Sequence, residues 1–419
     1  MSTGVLVAVG AVEFEPAVLS LASQPDVHVV RRCVDLADLM ATAASRQAAV
    51  ALVSAQLRGL DVEMVERLRG EAVAVVGVVA EVSSADEALL RQIGIDYVAS
   101  ADDVVSLAEV VAQAVDVPAP TAGGRVGVAA TGTLPADERP ARSGLVIAVW
   151  GPTGAPGRST VAVGLSSELA RAGASTMLVD ADVYGGSIAA MLGMLDESSG
   201  LLAAARAANA GALTPQTLAG HARQVSSTLR VLTGLPRADR WTEVKAVLFR
   251  SILEVSRSLV EYTVVDCGFS LEFDEEISYD TAAPRRNGAT VEALDRADLV
   301  LVVGGADPVG LSRLIRAVSE LKTVLPTVAP VLVVNRVRGG LGWSDHEIAS
   351  TVSRATGVSA LRLLPDDPAS TDRALVRGQT VAECAPDSKL SRAFSELAAQ
   401  LSGVSSAPRP SRRLLSRWR

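Results

Sequence analysis

Residues 145–182 read LVIAVWGPTGAPGRSTVAVGLSSELARAGASTMLVDAD, and the rest of the chain is read outward from them. Leu145 to Trp150 is an apolar run of strand length. It leads into a loop holding Gly151, Gly154 and Gly157, which closes on Arg158-Ser159-Thr160. An apolar-periodic helix is expected from there through about Arg171. Strand, glycine loop and helix, in that order, form the context a phosphate-binding loop requires. Glycines let backbone N–H groups close on an anion, and the helix N-terminus adds partial positive charge. The hydroxyl of Ser159 or Thr160 stands where it would meet a magnesium ion bridging phosphates. The loop departs from the pattern GxxxxGK[ST], with Pro152 and Arg158 where Gly and Lys are asked for. A second apolar strand ends in Val179-Asp180-Ala181-Asp182, and a third, Tyr262 to Val265, ends in Asp266. Carboxylates at the C-terminal ends of parallel strands stand at the mouth of an open α/β sheet, where ligands bind.

Six segments in register, GPTGAPGRST, LVDADVYGGSIAAMLG, YTVVDCG, LVVGGADPVGLSRL, VLVVNRVR and LLPDDPAS, span about residues 144–403. Together they resemble the MinD/ParA family of dimerising P-loop ATPases, most closely its CpaE-like branch with an N-terminal receiver-like domain. The resemblance implies ATP and Mg2+ as ligands, with Gly151, Gly154, Ala155, Pro156, Gly157, Arg158, Ser159 and Thr160 around the phosphates. It implies that Asn335 reads the adenine edge, a task an amide suits because it both donates and accepts. Pro365 and Asp366 would pack the adenine ring. Asp182 would orient or activate the attacking water, and Ser159, Asp180 and Asp266 would furnish the magnesium shell. Arg158 keeps a positive charge where the loop lysine would sit, but its planar fork is not an equivalent point charge. The family's signature lysine early in the loop is matched here by Thr153. ATP binding is therefore expected to survive more surely than hydrolysis, which should be slow without a partner.

The chain has 419 residues, enough for two or three domains with real cores. Hydrophobic residues make up 49% and aromatics only 3%, which favours helices packed on a parallel sheet of Ala, Val and Leu. No run reaches the length of a membrane span, and no basic segment precedes an apolar core at the N-terminus, so a cytoplasmic place is expected. The formal net charge of −8 argues against non-specific nucleic-acid binding. Cys33, Cys267 and Cys384 lack metal-ligand spacing and are read as free thiols. The three histidines, His28, His221 and His346, are scattered, and no Ser-His-Asp or zinc pattern competes with the phosphate loop.

Residues 1–116 alternate strand and helix five times, which a five-stranded doubly wound, flavodoxin-like sheet satisfies. They resemble a receiver domain, yet Gly10-Ala11, Ser54 and Ser100-Ala101 stand where a receiver's acid pair, phosphorylatable Asp and Lys belong, with Glu13 near the first place. A pseudo-receiver that docks or positions the ATPase is expected. Residues 117–143 change to Pro, Ala, Gly and Thr without periodicity and read as a flexible linker. The ATPase domain is expected over 144–403 and a basic tail over 404–419, whose last eleven residues hold five arginines and no acid. Leu414, Leu415 and Trp418 among those arginines suit an anionic membrane surface, and a floppy basic tail is the alternative. Arg285-Arg286 precede Asn287-Gly288; an arginine reaching a phosphate across a dimer and a solvated turn are both open.

Three functions follow. One is an ATP-dependent homodimer switch that positions a cell-envelope machine such as Flp/Tad pilus assembly, secretion or septum placement. Another is a non-catalytic scaffold with a degenerate nucleotide site, favoured by Thr153, Arg158 and Ser54. The third, ParA-like DNA partitioning, is weakened by the acidic charge.

Overall fold

The computed structural model describes residues 2–9, 14–57, 59–80, 85–116, 143–154, 157–194, 198–272 and 285–402. Gly10, Ala11, Glu13, Ala155, Pro156, residues 117–142 of the expected linker and the basic tail lie outside them. The chain divides into two units, Met1–Ala141 with Arg206–Leu213, and Arg142–Ala205 with Thr214–Arg419.

The first unit holds β1 (Thr3–Ala8), β2 (Val27–Arg32), β3 (Val50–Ser54), β4 (Ala74–Val79) and β5 (Tyr97–Ser100). All pair in parallel, in the order β2-β1-β3-β4-β5. That is the flavodoxin-like doubly wound order expected from the sequence. Alternation along the strands feeds two cores. Leu6, Ala51 and Val53 enter one, while Val5, Val7, Val50 and Leu52 enter the other. Helices cover both faces, so β3 is buried at every residue. Asp35 and Asp61 start two of those helices by accepting the backbone N–H groups of Asp38 and Met64. At the receiver's phosphoacceptor position, Ser54 is fully buried and its hydroxyl donates to the Val9 carbonyl. Ser100, in the lysine's place, donates to the Ala80 carbonyl at 3.1 Å. Both hydroxyls are thus engaged by backbone.

The second unit holds β6 (Leu145–Trp150), β7 (Thr176–Ala181), β8 (Arg223–Gln224), β9 (Leu229–Leu232), β10 (Tyr262–Cys267), β11 (Leu299–Gly305), β12 (Pro330–Val337) and β13 (Leu361–Pro365). They form one sheet in the order β13-β12-β11-β6-β10-β7-β9-β8, antiparallel only at β8–β9. β6 lies between β10 and β11, and the winding reverses there. The crevice outside its C-terminal end is therefore a topological switch point. The expected strands fall where the sequence put them, to within a few residues. β8 and β9 were not expected, because four apolar-alternating residues give too short a signal.

Helix Arg158–Arg171 is buried through ten consecutive residues, Val161 to Ala170, under the closing helix Lys389–Ser402. Gly164 permits that approach. A Cβ there would meet Phe394 ring atoms at 2.4 to 2.7 Å, and Phe394 is itself 2% exposed. Gly164→Ala is expected to destabilise the unit by about 1–3 kcal/mol through overpacking, seen as a lower melting temperature in calorimetry. Among the described residues no helix is long and apolar enough to cross a membrane.

Candidate nucleotide-binding site

The site begins at the end of β6. Trp150 is fully buried, and its indole N–H donates to the Phe269 carbonyl at 3.1 Å, tying the strand end to the loop after β10. Gly151 follows, where a Cβ would stand 2.3 Å from the Val303 carbonyl oxygen, so only glycine lets the chain leave β6 beside β11. Gly157 has φ +93 and caps helix Arg158–Arg171, a left-handed conformation that disfavours any side chain.

Arg158 points back across this loop. Its Nη1 donates to the carbonyls of Gly151 at 3.1 Å and Pro152 at 3.3 Å, and its Nη2 to Asp182 Oδ2 at 3.2 Å. Both side chains are nearly enclosed, at 13% and 10% exposure, so the pair holds in a low-dielectric place. Asp182 Oδ1 accepts the N–H groups of Tyr184 at 3.0 Å and Gly185 at 3.3 Å, which folds the glycine-containing turn after β7 around it.

Asp180 sits deeper. Its Oδ1 accepts the Asp182 N–H at 3.3 Å and its Oδ2 the Ile188 N–H at 3.0 Å. Gly186 and Gly234 crowd it from either side, since a Cβ on them would come within 2.9 and 2.6 Å of that carboxyl. Burial pushes the Asp180 carboxyl up to about 7, against the amide bonds that favour its charge. Asp266 is its register partner on the adjacent strand β10. It is 1% exposed, and among the described residues neither of its oxygens has a hydrogen-bond partner. Burial first, then the Asp180 charge, holds Asp266 well above the usual carboxylate range, while the Ser159 hydroxyl and Arg158 pull the other way. An orphaned carboxylate pair of oxygens beside a loop hydroxyl fits a cation shared with phosphate oxygens. Among the described residues no group of three or more His, Cys, Asp or Glu forms a metal cage.

The structure thus brings Gly151, Gly154, Gly157, Arg158, Ser159, Thr160, Asp180, Asp182 and Asp266 to one mouth. Asn335, 7% exposed at the end of β12, joins them from the other side; a Cβ on Gly157 would lie 2.7 Å from its Nδ2. Pro365 stands further along, lining a cavity of about 270 Å3 with Val337, Arg338, Trp343, Asp345 and Leu363. Asp366 hydrogen-bonds the Val337 carbonyl through its backbone N–H at 2.9 Å and faces Arg338 at 3.8 Å.

The solvated turn among the readings at Arg285–Gly288 needs correction. The turn exists, with the Gly288 N–H on the Arg285 carbonyl at 3.0 Å, but it is only exposed at Arg285. Arg286 lies over the Tyr184 ring, 4.0 Å from its centre. Asn287 is buried, accepts the Tyr184 hydroxyl at 2.7 Å, and donates to Ser270 at 3.1 Å and the Glu272 carbonyl at 2.7 Å. The turn therefore joins the loop carrying Asp182 to the loop after β10. Sequence reasoning missed Tyr184, Gly234 and Asn287 as parts of the site, because each acts through tertiary neighbours rather than through a motif. Cys33 and Cys267 are buried free thiols, and burial raises the Cys267 thiol.

Glycine loop, switch-point crevice and strand-end carboxylates define the second unit as a P-loop α/β fold. Residues 143–266, which hold that loop and all three aspartates, match the ParA family model, described as NUBPL iron-transfer P-loop NTPase. That segment of the second unit is thus similar to the ParA-type P-loop NTPases. The structure of a ParA family ATPase from Chlorobium tepidum TLS is similar at TM-score 0.52 and 18% identity, covering 61% of this chain and 98% of that one. At that identity the likeness speaks for the fold. The Pyrococcus furiosus cell division ATPase MinD matches at TM-score 0.49 and 19% identity, over 62% of this chain and 100% of its own. No curated protein matches the chain by sequence.

Proposed function

We propose that the chain is an ATP-binding, slowly hydrolysing switch of the MinD/ParA type. The observation that carries this reading is Asp266, whose buried carboxylate, without a hydrogen-bond partner among the described residues, stands at the head of the phosphate loop next to Ser159. Ser159 and Asp266 would hold Mg2+, with Asp180 behind them, and the ion would supply charge neutralisation between phosphate groups. The loop glycines present backbone N–H groups to the phosphates, and Asn335 faces the base. Asp182 positions water, and it must part from Arg158 to do so, which makes hydrolysis slow until a partner reorganises the loop.

In this reading ATP closes a homodimer and hydrolysis reopens it. The dimer places or regulates a cell-envelope machine, such as Flp/Tad pilus assembly, secretion or the septum. The first unit serves as a docking module rather than a phosphate sensor, since a buried Ser54 occupies the phosphoacceptor position. The protein works at the inner face of the membrane, with the basic tail as contact.

A scaffold that keeps the fold without the chemistry is the second reading, favoured by the Arg158–Asp182 pair, which engages the loop's cation with a carboxylate of the site. Calorimetry with Mg-ATP and Mg-ADP, run beside light scattering, separates the two. Micromolar ATP binding with doubling of the mass in ATP, and monomers in ADP, is the expected result. Absence of ATP binding would leave the scaffold.

A further inference from the structure

We propose that Arg313 and Arg336 bind the terminal phosphate of the nucleoside triphosphate, supplying from outside the loop a positive charge that the loop lacks. This rests on the nucleotide-binding reading above and refines it to named side chains. The mouth carries Asp180, Asp182 and Asp266, while Arg158 is the cation of the loop. Both Arg158 Nη atoms already donate to Gly151, Pro152 and Asp182, and position 153 offers only a threonine. A polyphosphate approaching three carboxylates needs more positive charge than this.

Two further guanidinium groups converge on the same loop. A cavity of about 80 Å3 is lined by Thr153, Gly154, Asp307, Gly310, Arg313 and Arg336, among others. Arg313 reaches it from helix Pro308–Val324. A Cβ on Gly154 would stand 2.2 Å from Arg313 Nη1, so the guanidinium lies against bare glycine backbone, at φ +65. Arg336 follows Asn335 at the end of β12 with φ +61, a left-handed conformation that costs a non-glycine residue free energy and collects at ligand sites. Both arginines are exposed, and among the described residues neither guanidinium has a hydrogen bond or ion pair. Asp307, the carboxylate in the cavity, is engaged locally; its Oδ1 accepts the N–H groups of Val309 at 3.1 Å and Gly310 at 3.0 Å. The two guanidinium groups therefore face Thr153 and Gly154. A planar fork of donors suits a phosphate oxygen pair there.

The test titrates Mg-ATP, Mg-ADP and tripolyphosphate into the full chain and into Arg313→Ala, Arg336→Ala and the double variant. The double variant is expected to lose about tenfold or more in affinity for ATP and tripolyphosphate, and less than about threefold for ADP. Arg313→Lys and Arg336→Lys should recover part of the loss, because a point charge replaces the fork. Arg316→Ala, an exposed arginine on the same helix, should leave all three affinities unchanged. Unchanged ATP affinity in the double variant overturns this assignment, and so do equal losses for ATP and ADP. If the intact chain binds none of the three ligands, the nucleotide reading falls and takes this one with it.

Discussion

Asp266→Asn is expected to raise the melting temperature of the ligand-free protein and to abolish the magnesium-dependent part of ATP binding. The two effects have one cause. Asp266 is buried with both oxygens unpartnered among the described residues, so the folded state bears a desolvated carboxyl that the unfolded chain does not. An amide of the same shape removes that burden, worth about 1–3 kcal/mol. It also removes the negative charge on which a cation would rest, so calorimetric titrations with and without Mg2+ should coincide in the variant. A variant that is less stable than the parent, or that keeps its magnesium dependence, would show that Asp266 serves the fold alone.

The pH dependence of stability follows with a definite sign. Asp180 and Asp266 have folded-state pKa values raised above 3.8, Asp180 to about 7. The folded state therefore holds these protons more tightly than the unfolded one. Their contribution to stability is complete below the unfolded value and is lost as pH rises toward 7. The melting temperature of the parent minus that of Asp266→Asn should fall as the pH is raised from about 4 to 7, once shared titrations cancel. Affinity for Mg-ATP should move the other way and increase with pH, because occupied ligands must be deprotonated.

Arg158→Ala is expected to have the largest effect on binding, a loss of ATP affinity of about a hundredfold or more. Arg158 bridges the loop carbonyls of Gly151 and Pro152 to Asp182, so its removal both slackens the loop and leaves a nearly buried Asp182 without its counter-charge. Arg158→Lys should keep binding within about tenfold, since the charge stays although the fork is lost. It should also free Asp182, and hydrolysis measured by phosphate release should then rise rather than fall. A lysine variant that binds as poorly as the alanine variant would mean that the bridging geometry, rather than charge, organises the loop.

Much of the fold was legible because hydrophobic runs of strand length alternate with helical periodicity, and that pattern admits few solutions. The strand order of the first unit and the central place of β6 agree with that reading. The edge pair β8–β9 was not legible, because two- and four-residue strands owe their existence to neighbours already in place.

The sequence by itself determined the glycine loop, the strand-end aspartates and the amide near the end of β12, since each is a residue type placed at a strand end by local periodicity. Only the tertiary structure decided how the charges divide among them. It pairs Arg158 with Asp182, cages Asp180 between Gly186 and Gly234, and leaves Asp266 without a hydrogen-bond partner among the described residues. It also carries Arg313 and Arg336 to the loop from segments more than a hundred residues away. Local propensity acts over a few residues, whereas desolvation and charge pairing depend on which strands become neighbours, and that is set only when the sheet closes around β6.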